Sequence, residues 1–344
     1  MDKESRQNGK TWSDLMKILV TGGQGFVGSA IVNKLIELGY EVETLSRGFY
    51  GKEKCGINHY QIDLSKNIQD RGIFSGVECV FHVAAKAGID GPFKEYYTAN
   101  FLATQNLLKV SKEQGVRFFI YTSSPSVVFS GKPIKNGMED MPYTSSRMSP
   151  YSLTKAMAEK EVLNSNSNGI FSTIALRPHL IWGEGDPHLL PKVISQHRSG
   201  KLKIVGNGQN HVDLTHIDNV VEAHISAFNN LAEGNPIGGN AYFISQNEPV
   251  NLWDWLNSLF KSLNLKPLHK RVSFRKAYLA GAALEMLWKT LPIKSDLPMS
   301  RFVACQLAHD HWFSTQAAKS DFGYEPVLSM DAAMKKTIPW LRSS

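Results

Sequence analysis

Tyr151 and Lys155 stand four residues apart in the stretch Ser149-Pro150-Tyr151-Ser152-Leu153-Thr154-Lys155. On a helix that spacing puts them on one face, one turn apart. A phenol and an ammonium so placed can act on one substrate oxygen. The cation favours the phenolate and lowers the phenol's pKa, so Tyr151 could pass a proton near neutral pH. Chance produces Tyr-x-x-x-Lys often, and the pair gains weight only from what surrounds it. One such feature is Thr122-Ser123-Ser124, directly after the apolar run that ends at Tyr121. A hydroxyl at the carboxyl end of a strand faces the ligand crevice of an open α/β sheet. There it could donate to a substrate carbonyl, as an oxyanion hole does.

A second feature is the loop Gly22-Gly23-Gln24-Gly25-Phe26-Val27-Gly28. It fits G-x-G-x-x-G through Gly23, Gly25 and Gly28, and T-G-x-x-G-x-x-G through Thr21, Gly22, Gly25 and Gly28. Glycines let the backbone approach a pyrophosphate, and a helix N-terminus supplies free N–H groups and partial positive charge. The plain alternative is an ordinary tight turn. The apolar run Met16 to Thr21 before the loop and the helical pattern through Leu38 after it favour a nucleotide site. The second strand ends in Leu45-Ser46-Arg47, with Ser46 where an acidic residue would hold the ribose of NAD. A guanidinium beside a small hydroxyl suits a 2'-phosphate, so Ser46 and Arg47 favour NADP(H). Asp63, in Gln61-Ile62-Asp63-Leu64, could accept the adenine amino group or cap the next turn.

Short apolar runs recur at Val42 to Leu45, Tyr60 to Ile62, Cys79 to Ala84, Phe118 to Tyr121 and Ser172 to Leu176. Helical stretches lie between them, the clearest over Ala99 to Gln114 and Tyr151 to Leu163. Gly115 and Gly169 suit helix C-terminal positions. The expected fold is α/β, a doubly wound parallel sheet with a smaller mixed C-terminal substrate region. After Arg177-Pro178 glycine and proline become frequent, so we divide the chain into a nucleotide domain, 16–177, and a substrate region, 178–344, with some segments returning to the first. Residues 1–15 are polar and aperiodic and read as a disordered leader, with Met16 opening the folded part. Asp218 is expected to cap a helix from Asn219 to Asn230.

Composition bounds the function. The 344 residues carry 38 basic and 31 acidic side chains, a formal charge of +7, without a run of Lys and Arg that would mark a nucleic-acid footprint. The three cysteines, Cys55, Cys79 and Cys305, form no disulfide or zinc spacing, and no secretion signal is apparent, which fits a reducing cytoplasm. His309-Asp310-His311 looks ligand-like but lacks a third partner at metal spacing. His179, His188, His211 and His216 read as structural, and no metal is expected. Lys276 to Thr290 is apolar apart from Glu285 and its flanking lysines, too short to span a bilayer. It could be a lid over a hydrophobic chain, a peripheral contact with the inner face of a membrane, or a helix packed on the core.

Taken together, these motifs resemble the extended short-chain dehydrogenase/reductases, and within them the 3β-hydroxysteroid dehydrogenase/isomerase-like family. The matching segments are Thr21 to Gly28, His82-Val83-Ala84-Ala85-Lys86, Asn100 with Ala103-Thr104, Tyr121 to Ser124, Tyr151 to Lys155, Arg177-Pro178 with Ile181-Trp182-Gly183, and Thr215 to Val220. Ala103 replaces the family's usual glycine and should only tighten helix packing. The resemblance implies that Ser124 is the catalytic serine and Tyr151 the proton donor or acceptor. Lys155 would bind the nicotinamide ribose and tune Tyr151, and Asn100 would lie in the active-site floor and support a water relay to Lys155. The cofactor would lie along Gly22, Gly25, Phe26, Val27 and Gly28, reach Ser46, Arg47, Asp63 and Leu64 at its adenosine end, and pass Ala84, Ala85 and Lys86 to Tyr151, Lys155 and Pro178. The implied reaction is hydride transfer between NADP(H) and a secondary alcohol or ketone. Thr122 to Val127, Ala175 to Gly183 and Pro298 to Phe302 are similar to the bacterial reductases of long-chain olefin biosynthesis, which reduce the 3-keto group of 2-alkyl-3-oxo fatty acids. That likeness implies assembly with other enzymes of that pathway, and the family implies a homodimer through the helices carrying Asn100 and Tyr151. A sterol dehydrogenase, a nucleotide-sugar epimerase and a non-catalytic NADP sensor are the alternatives.

Overall fold

Alternation along single strands sets up the two faces of the central sheet. In β1 (Lys17–Thr21) Ile18 and Val20 enter one apolar cluster and Leu19 the other. In β5 (Phe118–Thr122) Phe118 and Ile120 part from Phe119 and Tyr121 in the same way. Successive side chains of a strand point to opposite faces, so both faces of this sheet are covered. The computed structural model describes residues 16–48, 57–88, 91–167, 169–290 and 297–343. The leader over 1–15 and Cys55 lie outside the described residues.

The sheet has seven parallel strands in the order β7-β6-β5-β4-β1-β2-β3. The others are β2 (Glu41–Ser46), β3 (His59–Gln61), β4 (Val77–His82), β6 (Ser172–Pro178) and β7 (Ala241–Ile244). The order reverses between β1 and β4, where an open α/β sheet leaves its ligand crevice. The expected run Cys79 to Ala84 stops at His82, because the N–H groups of Val83 and Ala84 turn to the Thr21 hydroxyl at 3.2 and 3.1 Å. A separate apolar cluster gathers Trp182, Leu190, Leu252, Trp255, Leu256 and Leu259 beyond the carboxyl end of β6.

Five helices matter for the site. They are α1 (Phe26–Glu37), α2 (Ala103–Glu113), α3 (Pro150–Asn164), α4 (Ile217–Ala232) and α5 (Phe274–Thr290). The helix expected from Ala99 begins at Phe93 and widens into a π-helical turn over Tyr97–Leu102 before α2. Gly115 follows α2 with φ +75° as expected of a helix end. Gly169 (φ +78°) does not end a helix, because α3 has already stopped at Asn164; it sits in the turn that pairs Ser167 with Phe171. Asp218 does not cap α4 either. The extended backbone of His216 makes it the cap, its Nδ1 accepting the Asp218 N–H at 3.2 Å, while the Asp218 carboxylate pairs with Lys336 at 2.5 Å.

The apolar stretch from Lys276 forms most of α5. Gly281 buries against the Ser300–Arg301 backbone, where a Cβ would come within 2.7 Å of the Ser300 carbonyl carbon, and Glu285 pairs with Arg301. The opposite side leaves Leu279, Met286 and Leu287 exposed. Among the described residues, no helix is long and apolar enough to cross a membrane.

Candidate active site

The start of α3 is fixed by local sequence. The Ser149 hydroxyl accepts the Ser152 N–H at 3.1 Å, and Pro150 occupies the first turn, where its missing N–H costs nothing. The helix then carries Tyr151, Lys155 and Glu159 down one face. Lys155 and Glu159 are buried. The Lys155 ammonium donates to the Thr122 carbonyl at 2.6 Å and lies 4.0 Å above the Tyr121 ring. Burial pushes Lys155 down to about 7, against the charge of Glu159. Burial raises the Tyr151 phenol above its ordinary value, and a hydrogen bond from Ser124 opposes the rise. The spacing therefore brings Ser124, Tyr151 and Lys155 together. The Lys155 ammonium is turned onto the end of β5.

Asn100 is buried behind Lys86. Its Oδ1 accepts the Lys86 N–H at 2.7 Å, and its Nδ2 donates to the Lys86 carbonyl and the Thr154 hydroxyl, each at 3.2 Å. No bond links it directly to Lys155, and its visible work is to clamp the loop after β4 against α3. Thr104 extends this support: its hydroxyl donates to the Asn100 carbonyl at 2.6 Å and so accepts from His82, whose other nitrogen accepts from Thr21. Burial holds His82 neutral, pushed down to about 3.

The glycine loop forms a cradle. A Cβ on Gly28 would lie 2.1 Å from the Gly22 carbonyl oxygen, and one on Gly22, where φ is +68°, 3.0 Å from the Ala84 backbone. Gly28→Ala should therefore distort the loop; overpacking of ~1–3 kcal/mol predicts an NADPH dissociation constant raised about 10-fold, measurable by fluorescence titration. A cavity of about 720 Å³ runs from this loop past Ser46, Arg47, Asp63 and Leu64 to Ala84, Ala85 and Lys86, and on to Tyr151, Lys155 and Pro178. The donor set and the cradle fit a dinucleotide. Asp63 shows the capping alternative, its Oδ1 accepting the Ser65 N–H and hydroxyl at 3.0 and 2.7 Å, and those bonds hold its carboxyl below the usual range. Its side chain still faces the cavity. The Ser46 hydroxyl is turned inward to the Gly48 carbonyl at 2.6 Å, and Arg47 is exposed at the cavity edge.

A second cavity, of about 430 Å³, meets the first at Ala87, Ser124, Tyr151 and Leu180. Its walls are mostly apolar, among them Leu190, Leu214, Trp255, Leu256, Phe302 and Phe313. None of α5 lines it, so the apolar stretch from Lys276 is not a lid here; the neighbouring helix Arg301–Ala308 supplies Phe302, Val303 and Leu307 instead. His179, which the sequence reading left as structural, and His311, from the ligand-like His309-Asp310-His311, also stand in this wall. They are 132 residues apart, and their ring nitrogens approach to 3.2 Å. Only the place of His179, next to Pro178, could have marked it in the sequence. Among the described residues no cluster of His, Cys, Asp or Glu forms a metal site.

A glycine cradle at the switch point, joined to a Ser-Tyr-Lys cluster and an apolar cavity, defines an NAD(P)-dependent oxidoreductase of the short-chain type. Residues 19–275 match the 3-beta hydroxysteroid dehydrogenase/isomerase family, and the chain belongs to that family. It is 39% identical to the 2-alkyl-3-oxoalkanoate reductase of Stenotrophomonas maltophilia, over 93% of this chain and 98% of that protein. It is 35% identical to the mouse (Mus musculus) sterol-4-alpha-carboxylate 3-dehydrogenase, decarboxylating, over 95% of this chain and 91% of that one. The fold is shared with UDP-glucuronic acid 4-epimerase from Bacillus cereus in complex with NAD, at a TM-score of 0.74 and 21% identity over 95% of this chain and 99% of that structure.

Proposed function

We propose that the chain reduces the 3-keto group of a long-chain 2-alkyl-3-oxoalkanoate with NADPH, giving the 2-alkyl-3-hydroxyalkanoate for olefin biosynthesis. The observation that carries this reading is the apolar cavity that opens on Ser124 and Tyr151 where it meets the cofactor cleft. Its leucine and aromatic walls suit an alkyl chain and offer little to a sugar. The 2-alkyl-3-oxoalkanoate reductases and sterol-4-alpha-carboxylate dehydrogenases among the relatives act, by their names, on acids. In each, one carbon separates the carboxylate from the carbon that carries the 3-oxygen. The sterol substrate is the second reading, since those relatives are also more than 30% identical.

NADPH, when bound, supplies the hydride. Tyr151 gives its phenolic proton to the substrate oxygen as the ketone becomes an alcohol, and Ser124 donates a hydrogen bond to that same oxygen. Lys155 holds the ribose side of the cleft and Asn100 holds the Lys86 loop beneath it. In this account residues 16–177 bind the cofactor and 178–344 shape the substrate cavity. Arg47 supplies the preference for a 2'-phosphate. Arg47→Ala is expected to raise the KM for NADPH roughly 10- to 100-fold, the worth of a charge-assisted contact, and to leave the KM for NADH unchanged. Equal effects on both cofactors would remove the basis for NADP(H).

The exposed side of α5, with Leu279, Met286 and Leu287, supports peripheral contact with the inner face of a membrane from the cytoplasm. A homodimer through the helices that carry Asn100 and Tyr151, and assembly with other enzymes of the pathway, complete the proposal. Substrate profiling tests the reading. The oxo acid should be turned over faster than a 3-keto sterol carboxylate, and UDP-glucose not at all; a sterol optimum would transfer the assignment to the second reading.

A further inference from the structure

We infer that His179, backed by Asp213 and His311, receives the carboxylate of the substrate beside the reacting carbon. This deepens the proposed function and rests on its substrate being an acid. The chain crosses between the two cavities at this point: Pro178 lines the cofactor cleft, His179 the substrate cavity, and Leu180 both. A carboxylate one carbon removed from the ketone must bind within a few ångströms of Tyr151, and His179 stands in the wall of that cavity at its junction with the cofactor cleft.

The hydrogen bonds fix the state of the ring. His311 Nε2 faces the Gln306 carbonyl at 2.7 Å, which can only accept, so it carries the hydrogen. Burial, with His179 beside it, pushes His311 down to about 3 and keeps it neutral. Its Nδ1 is therefore a lone pair, and His179 Nε2 must donate to it across 3.2 Å. On its other edge His179 Nδ1 donates to the Asp213 carboxylate. Both ring nitrogens of His179 thus face acceptors, Asp213 on one edge and His311 on the other. The second oxygen of Asp213 accepts the Phe313 N–H at 2.9 Å, so that carboxylate is anchored to the protein wall. Backbone bonds seat His179 as well, its N–H on Ile244 and its carbonyl on Thr215. The side chain keeps 11% of its surface exposed, in a cavity whose other walls are mainly apolar.

An anion entering the cavity would find in His179 a fixed N–H that can exchange the weak, neutral His311 acceptor for a charged one. Lys132 also borders the cavity, but it is exposed, where water screens its charge. Asp310 and His309 line the same cavity beside His311; Asp310 is already held by Lys135 and the His211 N–H.

The test compares a 2-alkyl-3-oxo acid with its methyl ester. In the unmodified enzyme kcat/KM should favour the acid by roughly 10-fold or more, the worth of one charge-assisted hydrogen bond. His179→Gln should erase that preference. A ratio unmoved by His179→Gln, or lowered instead by Lys132→Ala, would overturn the inference. A second measurement needs neither turnover nor a variant. Quenching of Trp182 and Trp255 by the 3-hydroxy acid and by its methyl ester should show the acid binding about 10-fold tighter; equal binding would overturn the inference. An enzyme that reduces neither acid nor ester contradicts the proposed function itself, and the binding titration repeated with His179→Gln then judges His179 alone.

Discussion

Tyr151→Phe is expected to lower kcat by roughly 10²- to 10⁴-fold, the range a positioned proton donor contributes. NADPH should bind as before, because the phenol's partner is Ser124 and the ring remains to fill its place. The effect follows from the geometry. Tyr151 borders both cavities where they meet. Stopped-flow NADPH binding beside steady-state turnover separates the two quantities. Turnover near the unmodified rate would require another donor at the same oxygen, and Ser124 is the remaining hydroxyl there.

The second large effect is on stability. Glu159 lies one turn beyond Lys155 on α3 and is fully buried. It accepts from Arg177 Nε at 3.1 Å and Nη2 at 2.6 Å, and from the Tyr143 hydroxyl at 2.8 Å. Arg177 is itself on β6, one residue before Pro178, so this pair ties the helix that carries Tyr151 to the strand whose last residue lines the cofactor cleft. Removing one partner of a buried ion pair leaves the other uncompensated, at about 3–5 kcal/mol. Glu159→Gln should lower stability to denaturant by that amount. The double replacement Glu159→Gln with Arg177→Met should recover part of it, since both charges then leave the interior. A single variant within 1 kcal/mol of the parent would mean that the pair acts as a surface contact does.

Much of this was legible in the chain. Short apolar runs marked strands of the parallel sheet, and the glycine loop and the Tyr-x-x-x-Lys pair line one cavity. What the sequence could not carry were contacts made across the fold. Lys155 has two neighbours within reach, and local spacing cannot say that its ammonium chooses the Thr122 carbonyl. The cap of α4 passed from Asp218 to His216 because the preceding backbone is extended, which composition does not encode. His179 and His311 come from distant segments, and only the closing of the substrate region brings their rings together. The long apolar stretch gave a helix but not its role, since Gly281 and Glu285 dock one side and leave the other uncovered.

The most direct test is to supply NADPH carrying deuterium at the transferable position together with a synthetic 2-alkyl-3-oxo fatty acid, and to analyse the product by mass spectrometry. The account predicts a 2-alkyl-3-hydroxy acid with a single deuterium, at C3. A product without the label, or the recovery of unreduced oxo acid while NADPH binds normally, would contradict it.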